Sequence, residues 1–312
     1  MGQLGLGNGH GGLLSDRCPE THPIRACEGG LSRSAGRVDA SAGSPGKVRS
    51  TSTACDRYGG TVDTVSEATR WLDLVEVDNV RDLGGLPLAG GGVTRSGVAY
   101  RASTLQQACA ADVTELVDVR RLRTVIDLRL PDEAAREGHG LLGDAGVRVV
   151  NLPVRKADAT LLDVVVPSGT SADLGALYWQ LLAGSTEAFV ESARIIADPE
   201  QHAVLFHCAA GKDRTGVIAA VLLDAVGVPA DAIAADYALT SERAARVRER
   251  LVRIPAYQNL PNVGQGVFAV DGTAIASFVD ALRATYGGGG EFLLRHGLTD
   301  AELAGLRAAL VG

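Results

Sequence analysis

The chain has 312 residues, 46% hydrophobic and 21% charged, with a formal net charge of −7. That length allows one large domain or two small ones around a sizeable core, and the composition is that of a globular protein. The negative balance is a poor general attractor for nucleic acid or anionic membrane; nucleic acid is not an expected partner, and an anionic substrate would need a local site.

No apolar run approaches the roughly 20 residues of a membrane helix, so no stable membrane insertion is expected. The N-terminus has no uninterrupted apolar core after a basic start. A cytoplasmic location is therefore expected, with export that leaves no N-terminal signature kept open. Five cysteines (Cys18, Cys27, Cys55, Cys109 and Cys208) form no C-x-x-C pair. This argues against a disulfide framework and a zinc site, and no metal or cofactor is expected.

Residues 1–67 hold thirteen glycines by position 60, many serines and threonines, and seven charges of each sign. They show no sustained periodicity. Such a segment is expected to be disordered, since it buries too little apolar surface to offset its ordering entropy. A start codon assigned too far upstream would give the same composition. Residues 68–312 are expected to form a single domain. Strands are predicted at Val98–Arg101, Thr124–Leu128, Val147–Val154 and Ala203–Phe206. Helices are predicted over Ala111–Arg120, Leu174–Leu182, Thr186–Ala197 and Thr215–Val226, the last stopped by Gly227 and Pro229. A long charged helix should run from Asp231 to about Arg253, followed by two more near Thr273–Tyr286 and Thr299–Leu310. The alternation predicts an α/β fold, a mostly parallel twisted sheet flanked by helices on both faces.

Residues 207–216 read His-Cys-Ala-Ala-Gly-Lys-Asp-Arg-Thr-Gly, between a buried strand and a helix. Ligands bind at the carboxyl ends of strands in such sheets. Small Ala209, Ala210 and Gly211 let successive backbone N–H groups curl around an anion, and the following helix adds its positive end. Arg214, six positions after Cys208, can close the ring with a bidentate clamp. Such a ring favours a thiolate. Thr215 is expected to donate to the sulfur and His207 to hold the loop. A lone cysteine in such a turn is usually an inert core residue; the coincidence with Arg214 and Thr215 argues otherwise. A nucleotide-binding loop would need a glycine five residues before Gly211, and none is present.

This stretch resembles the signature of protein tyrosine phosphatases, and more narrowly the atypical bacterial tyrosine and phosphoinositide phosphatases, whose loop carries Gly-Lys-Asp-Arg-Thr. Asn79-Val80-Arg81-Asp82-Leu83-Gly84-Gly85, Tyr100-Arg101-Ala102-Ser103 and Thr124-Val125-Ile126-Asp127-Leu128-Arg129 are similar to further motifs of that family, as are Tyr286 and Leu298-Thr299. The resemblance covers about residues 70–311. It implies a tyrosine-phosphatase-like fold and a two-step hydrolysis of phosphomonoesters: Cys208 attacks phosphorus, Arg214 and the loop amides stabilise the oxygens, and water releases phosphate.

The leaving group needs an acid. There is no Trp-Pro-Asp tripeptide, and the resemblance points to Asp213, with Asp158 as runner-up and Asp163 weaker. Lys212 is one of only three lysines and could contact a second phosphate, as in phosphoinositides. The resemblance places Asp82 near the catalytic mouth; otherwise it caps its turn. Asp127, Arg129 and Glu133 are expected to form structural ion pairs. The Arg-rich run 242–253 reads as a solvated helical face, with a lid over the site or a membrane-facing helix as alternatives. The implied partner is a phosphorylated protein or phosphoinositide. The alternatives are a rhodanese- or arsenate-reductase-like thiol enzyme and an inactive phosphate-binding module.

Overall fold

A computed structural model describes residues 70–155, 170–265 and 268–312. Residues 1–67, Asp158 and Asp163 lie outside the described residues. Five strands form one sheet in the order β1-β2-β5-β3-β4: β1 Arg81–Asp82, β2 Ala99–Ala102, β3 Thr124–Asp127, β4 Arg148–Asn151 and β5 Val204–His207. Only β1 runs antiparallel. The mostly parallel sheet of the expected α/β fold is therefore present, with a short antiparallel edge.

Alternate side chains of the central strands β3 and β5 feed two cores, as strand geometry requires. Ile126, Val204 and Phe206 face the larger core, shared with α3 Ser171–Ala183, α4 Thr186–Ala197, α5 Asp213–Ala225, α6 Ala230–Ala238, α8 Gly272–Tyr286, α9 Gly289–Arg295 and α10 Asp300–Leu310. Val125 and Leu205 face a smaller core closed by the 72–80 segment and α1 Ala110–Thr114. The expected helix at Ala111–Arg120 turns into a π turn at Glu115–Val119 after α1.

The predicted long helix from Asp231 is two helices, α6 and α7 Thr240–Leu251. Two different surfaces must be covered. Ile233 and Tyr237 of α6 face the larger core, whereas Ala244, Val247 and Leu251 of α7 pack with Ala209 and Phe268 in a separate cluster. A straight helix could not serve both. A further helix, α2 Pro131–Glu137, follows β3. Its start signature, Pro131 at the first position with Asp132 and Glu133 in the first turn, stands in the sequence.

Register places Ala102, Asp127 and His207 level with one another, at the carboxyl ends of β2, β3 and β5. The residues that follow them converge on one end of the sheet.

Candidate active site

Cys208 leaves β5 and Asp213 opens α5, so residues 208–212 form the intervening loop. Gly211 has φ +69, and a Cβ there would stand 2.3 Å from the Ala102 carbonyl oxygen. Only glycine permits this turn so close to β2.

Every carbonyl of this loop is engaged. That of Cys208 accepts from His207 Nδ1 (3.1 Å) and that of Ala209 from the Thr104 N–H (2.9 Å). Asn79 Nδ2 donates to the Ala210 and Gly211 carbonyls (3.0 and 3.1 Å), and Arg101 Nη2 to that of Gly211 (2.9 Å). The Lys212 carbonyl accepts from the Gly216 N–H (2.6 Å). The N–H groups of Ala209, Ala210 and Gly211, by contrast, donate to no described residue. A peptide that turns its carbonyls into the protein turns its N–H groups the other way, the polarity an anion cradle needs.

Arg214, from the first turn of α5, meets Glu133 of α2 in a bidentate pair: Nη1 to Oε2 at 2.6 Å and Nη2 to Oε1 at 3.2 Å. Glu133 also accepts from the Leu130 N–H (2.8 Å) and the Tyr257 hydroxyl (3.0 Å). Burial pushes its carboxyl up, but Arg214, the Leu130 N–H and the Tyr257 hydroxyl together more than offset this and hold it below the usual range. Burial likewise lowers Arg214, and the neighbouring Cys208 and Glu133 raise it further than that. Cys208 itself is a free, buried thiol.

A family model described as the tyrosine phosphatase family matches residues 72–312. The chain belongs to the tyrosine phosphatase family. A Cupriavidus necator protein provisionally named a tyrosine-protein phosphatase is 33% identical over 221 residues, 68% of this chain and 78% of that one. PtpB of Mycobacterium tuberculosis, named a triple specificity protein phosphatase, is 31% identical over 121 residues, 35% of this chain and 44% of that one. Among solved structures, the core catalytic domain of the PP-IP phosphatase SIW14 from S. cerevisiae covers 50% of this chain and 77% of its own, at 16% identity and a TM-score of 0.30. This phosphatase is thus a phosphoric monoester hydrolase by family.

The sequence-predicted residues of the phosphatase loop converge, with adjustments. Asp213 is half-buried, and its Oδ1 lies 3.1 Å from Lys212 Nζ, 3.3 Å from the Tyr178 hydroxyl and 3.5 Å from that of Tyr237. The two hydroxyls are 2.6 Å apart. One of their two protons is spent between them, which leaves one for Asp213. Burial, with Asp213 beside them, holds both phenols far above the usual tyrosine range, so they stay protonated. Lys212 is buried, and its ammonium also donates to the Ala269 carbonyl (2.6 Å). It thus turns toward protein partners. His207 bonds the loop through Nδ1 alone; its Nε2 is buried without a hydrogen bond, 3.8 Å from Asp127 Oδ1. Thr215 Oγ1 is buried and unbonded, so the expected bond to the sulfur is not made here.

Asp82 accepts from the N–H groups of Gly84 and Gly97, both at 2.8 Å. It braces its turn, and Asn79 is the residue of that motif that touches the loop. Asp127 and Arg129 form the expected ion pair (2.8 Å), and Glu133 forms its own with Arg214 (2.6 Å).

Sequence reasoning missed two features. Beneath the loop, Asp236 of α6 meets Arg70, Arg81 (3.1 Å) and Arg101 (2.7 Å), all buried. Three guanidinium groups share one carboxylate, an excess of two positive charges. Asp236 lies three residues after Ile233, on the inward side of α6; nothing in the sequence marks it as ionic core. Above the loop, α7 packs its apolar side over Ala209 and Ala210. Its arginines do more than face solvent: Arg243 pairs with Asp73 (2.8 Å), Arg246 with Asp78 (2.9 Å), and Arg250 with Asp78 and Glu76.

Proposed function

We propose that Cys208 is the nucleophile of a protein tyrosine phosphatase that works through a phosphocysteine intermediate. The observation that carries this reading is the polarity of the loop: all carbonyls engaged, the N–H groups of Ala209, Ala210 and Gly211 open, and Arg214 beside the thiol. The Cys208 thiolate attacks phosphorus and the ester P–O bond breaks. The loop N–H groups and Arg214 hold the three equatorial oxygens. Glu133 takes one N–H from each Nη of Arg214, which leaves Nε and an adjacent Nη hydrogen for phosphate. Thr215 Oγ1, buried and unbonded, is the donor left for the sulfur. Asp213 protonates the leaving oxygen and then takes a proton from the water that attacks phosphocysteine. Phosphate leaves and the thiolate is restored. His207 and Lys212 hold the loop from within.

Phosphotyrosine in a protein is the primary substrate of this reading. Phosphoserine, phosphothreonine and phosphoinositides form the second, favoured by the triple specificity named for PtpB. Cys208→Ser should lower para-nitrophenyl phosphate turnover by about 10³-fold or more. Asp213→Asn should cost about 10²-fold on an alkyl phosphate and far less on this activated ester. Thiosulfate sulfur transfer, or no phosphate release, would favour the thiol-enzyme or inactive alternatives. Equal loss on both esters would remove Asp213 as the acid. In a panel of phosphopeptides and phosphoinositides, selective loss on multiply phosphorylated lipids in Lys212→Ala would support the lipid reading.

A further inference from the structure

We propose that Asn79 is a positioning residue that fixes the anion-binding polarity of the loop from beneath, with Arg101 as its partner. This rests on the reading of residues 208–214 as a phosphate cradle. The loop can offer N–H groups to an anion only while its carbonyls stay turned inward, and a buried carbonyl needs a donor. At Ala210 and Gly211 that donor is a side chain. Asn79 Nδ2 serves both carbonyls, and Arg101 Nη2 adds a second bond at Gly211. Without them the 210–211 peptides could flip, pointing carbonyl oxygens at the bound anion.

The donors are themselves held. Asn79 has φ +57, a left-handed conformation that asparagine tolerates better than other side-chain-bearing residues. Its Oδ1 accepts from Arg81 Nη1, which orients the amide so that the NH2 faces the loop. Arg81 and Arg101 are both anchored on Asp236. These side chains are buried, so in the intact protein the amide and not bulk water serves the two carbonyls. Among the described residues Asn79 hydrogen-bonds neither Cys208 nor Arg214, and it acts through the backbone between them.

Two variants separate the donor from the backbone. Asn79→Gly keeps the left-handed conformation and deletes the amide. Asn79→Asp keeps the shape and the acceptor for Arg81, but presents an oxygen to the loop carbonyls. Binding of inorganic phosphate to the full chain, measured calorimetrically, should weaken by about tenfold in Asn79→Gly and more in Asn79→Asp, as loss of one to two buried hydrogen bonds implies. The KM for para-nitrophenyl phosphate should rise with it, more than kcat falls, while the unfolding midpoint of Asn79→Gly falls by only a few degrees and the chain stays folded at the assay temperature. Unchanged phosphate affinity in both variants overturns the proposal. So does a loss that tracks unfolding, with kcat falling and KM constant. Phosphate binding by the wild type without turnover, with the variant effect intact, would leave this proposal standing and sink the phosphatase reading. Wild-type turnover with variant affinities unchanged would do the reverse.

Discussion

The 208–212 loop lies between two unlike structures. Beneath it, Asn79, Arg81, Arg101 and Asp236 are buried side chains joined by short polar bonds. Above it, α7 contributes an apolar side over Ala209 and an arginine side of mixed exposure: Arg243 pairs with Asp73, which is 75% exposed, whereas Asp78, the partner of Arg246 and Arg250, is buried. Buried charges that lose a partner are costly, whereas exposed pairs contribute little and are screened by salt. The floor is therefore built to hold one geometry, whereas the exposed part of the arginine side is the part of the cover that salt can weaken.

Three experiments would break or sharpen this contrast. The largest effect is expected in the floor: Asp236→Asn strands three buried guanidinium groups without a counter-charge. It should lower unfolding free energy by about 3–5 kcal/mol in urea titrations; a loss below about 1 kcal/mol would mean that the cluster is not the rigid element described.

Next comes His207, between floor and loop. Burial pulls its pKa down from 6.5 to about 4. The folded state then binds fewer protons than the unfolded chain between those values, so stability rises with pH across about 4 to 6.5 and is lost as pH falls. Relative to His207→Asn, the wild type should lose up to about 3 kcal/mol over that window. Parallel pH curves for the two proteins would show that burial does not hold His207 neutral.

The smallest effect is expected in the cover. Raising salt to about 1 M should speed hydrogen exchange of α7 amides and leave those of α5 unchanged, because the Debye length falls to about 3 Å. Equal protection at both salt concentrations would show that apolar contact, rather than the arginine side, holds α7 in place.

Much of this was legible in the sequence. Period-2 and helical patterns located four of the five strands near their observed places, and α4 at Thr186–Ala197 to the residue. The two-residue β1 was too short to leave a pattern. The break at Leu239 escaped notice because no glycine or proline marks it; the two helices separate to reach different surfaces. Glu133 carried a readable sign, as the third residue of a helix that begins with proline, but its pairing with Arg214 joins positions 81 apart.

The sequence alone determined Cys208, its strand-to-helix setting, the small residues of the loop and the position of Arg214. These rest on spacing within ten residues, which local backbone geometry translates directly into proximity. Tertiary structure decided which motif residues reach the loop, Asn79 and Arg101 in place of Asp82, and turned Lys212 toward Asp213 and Ala269. It also gathered three arginines on Asp236. Those outcomes depend on which segments pack together, and side-chain partners across such distances leave no period or spacing in a single sequence.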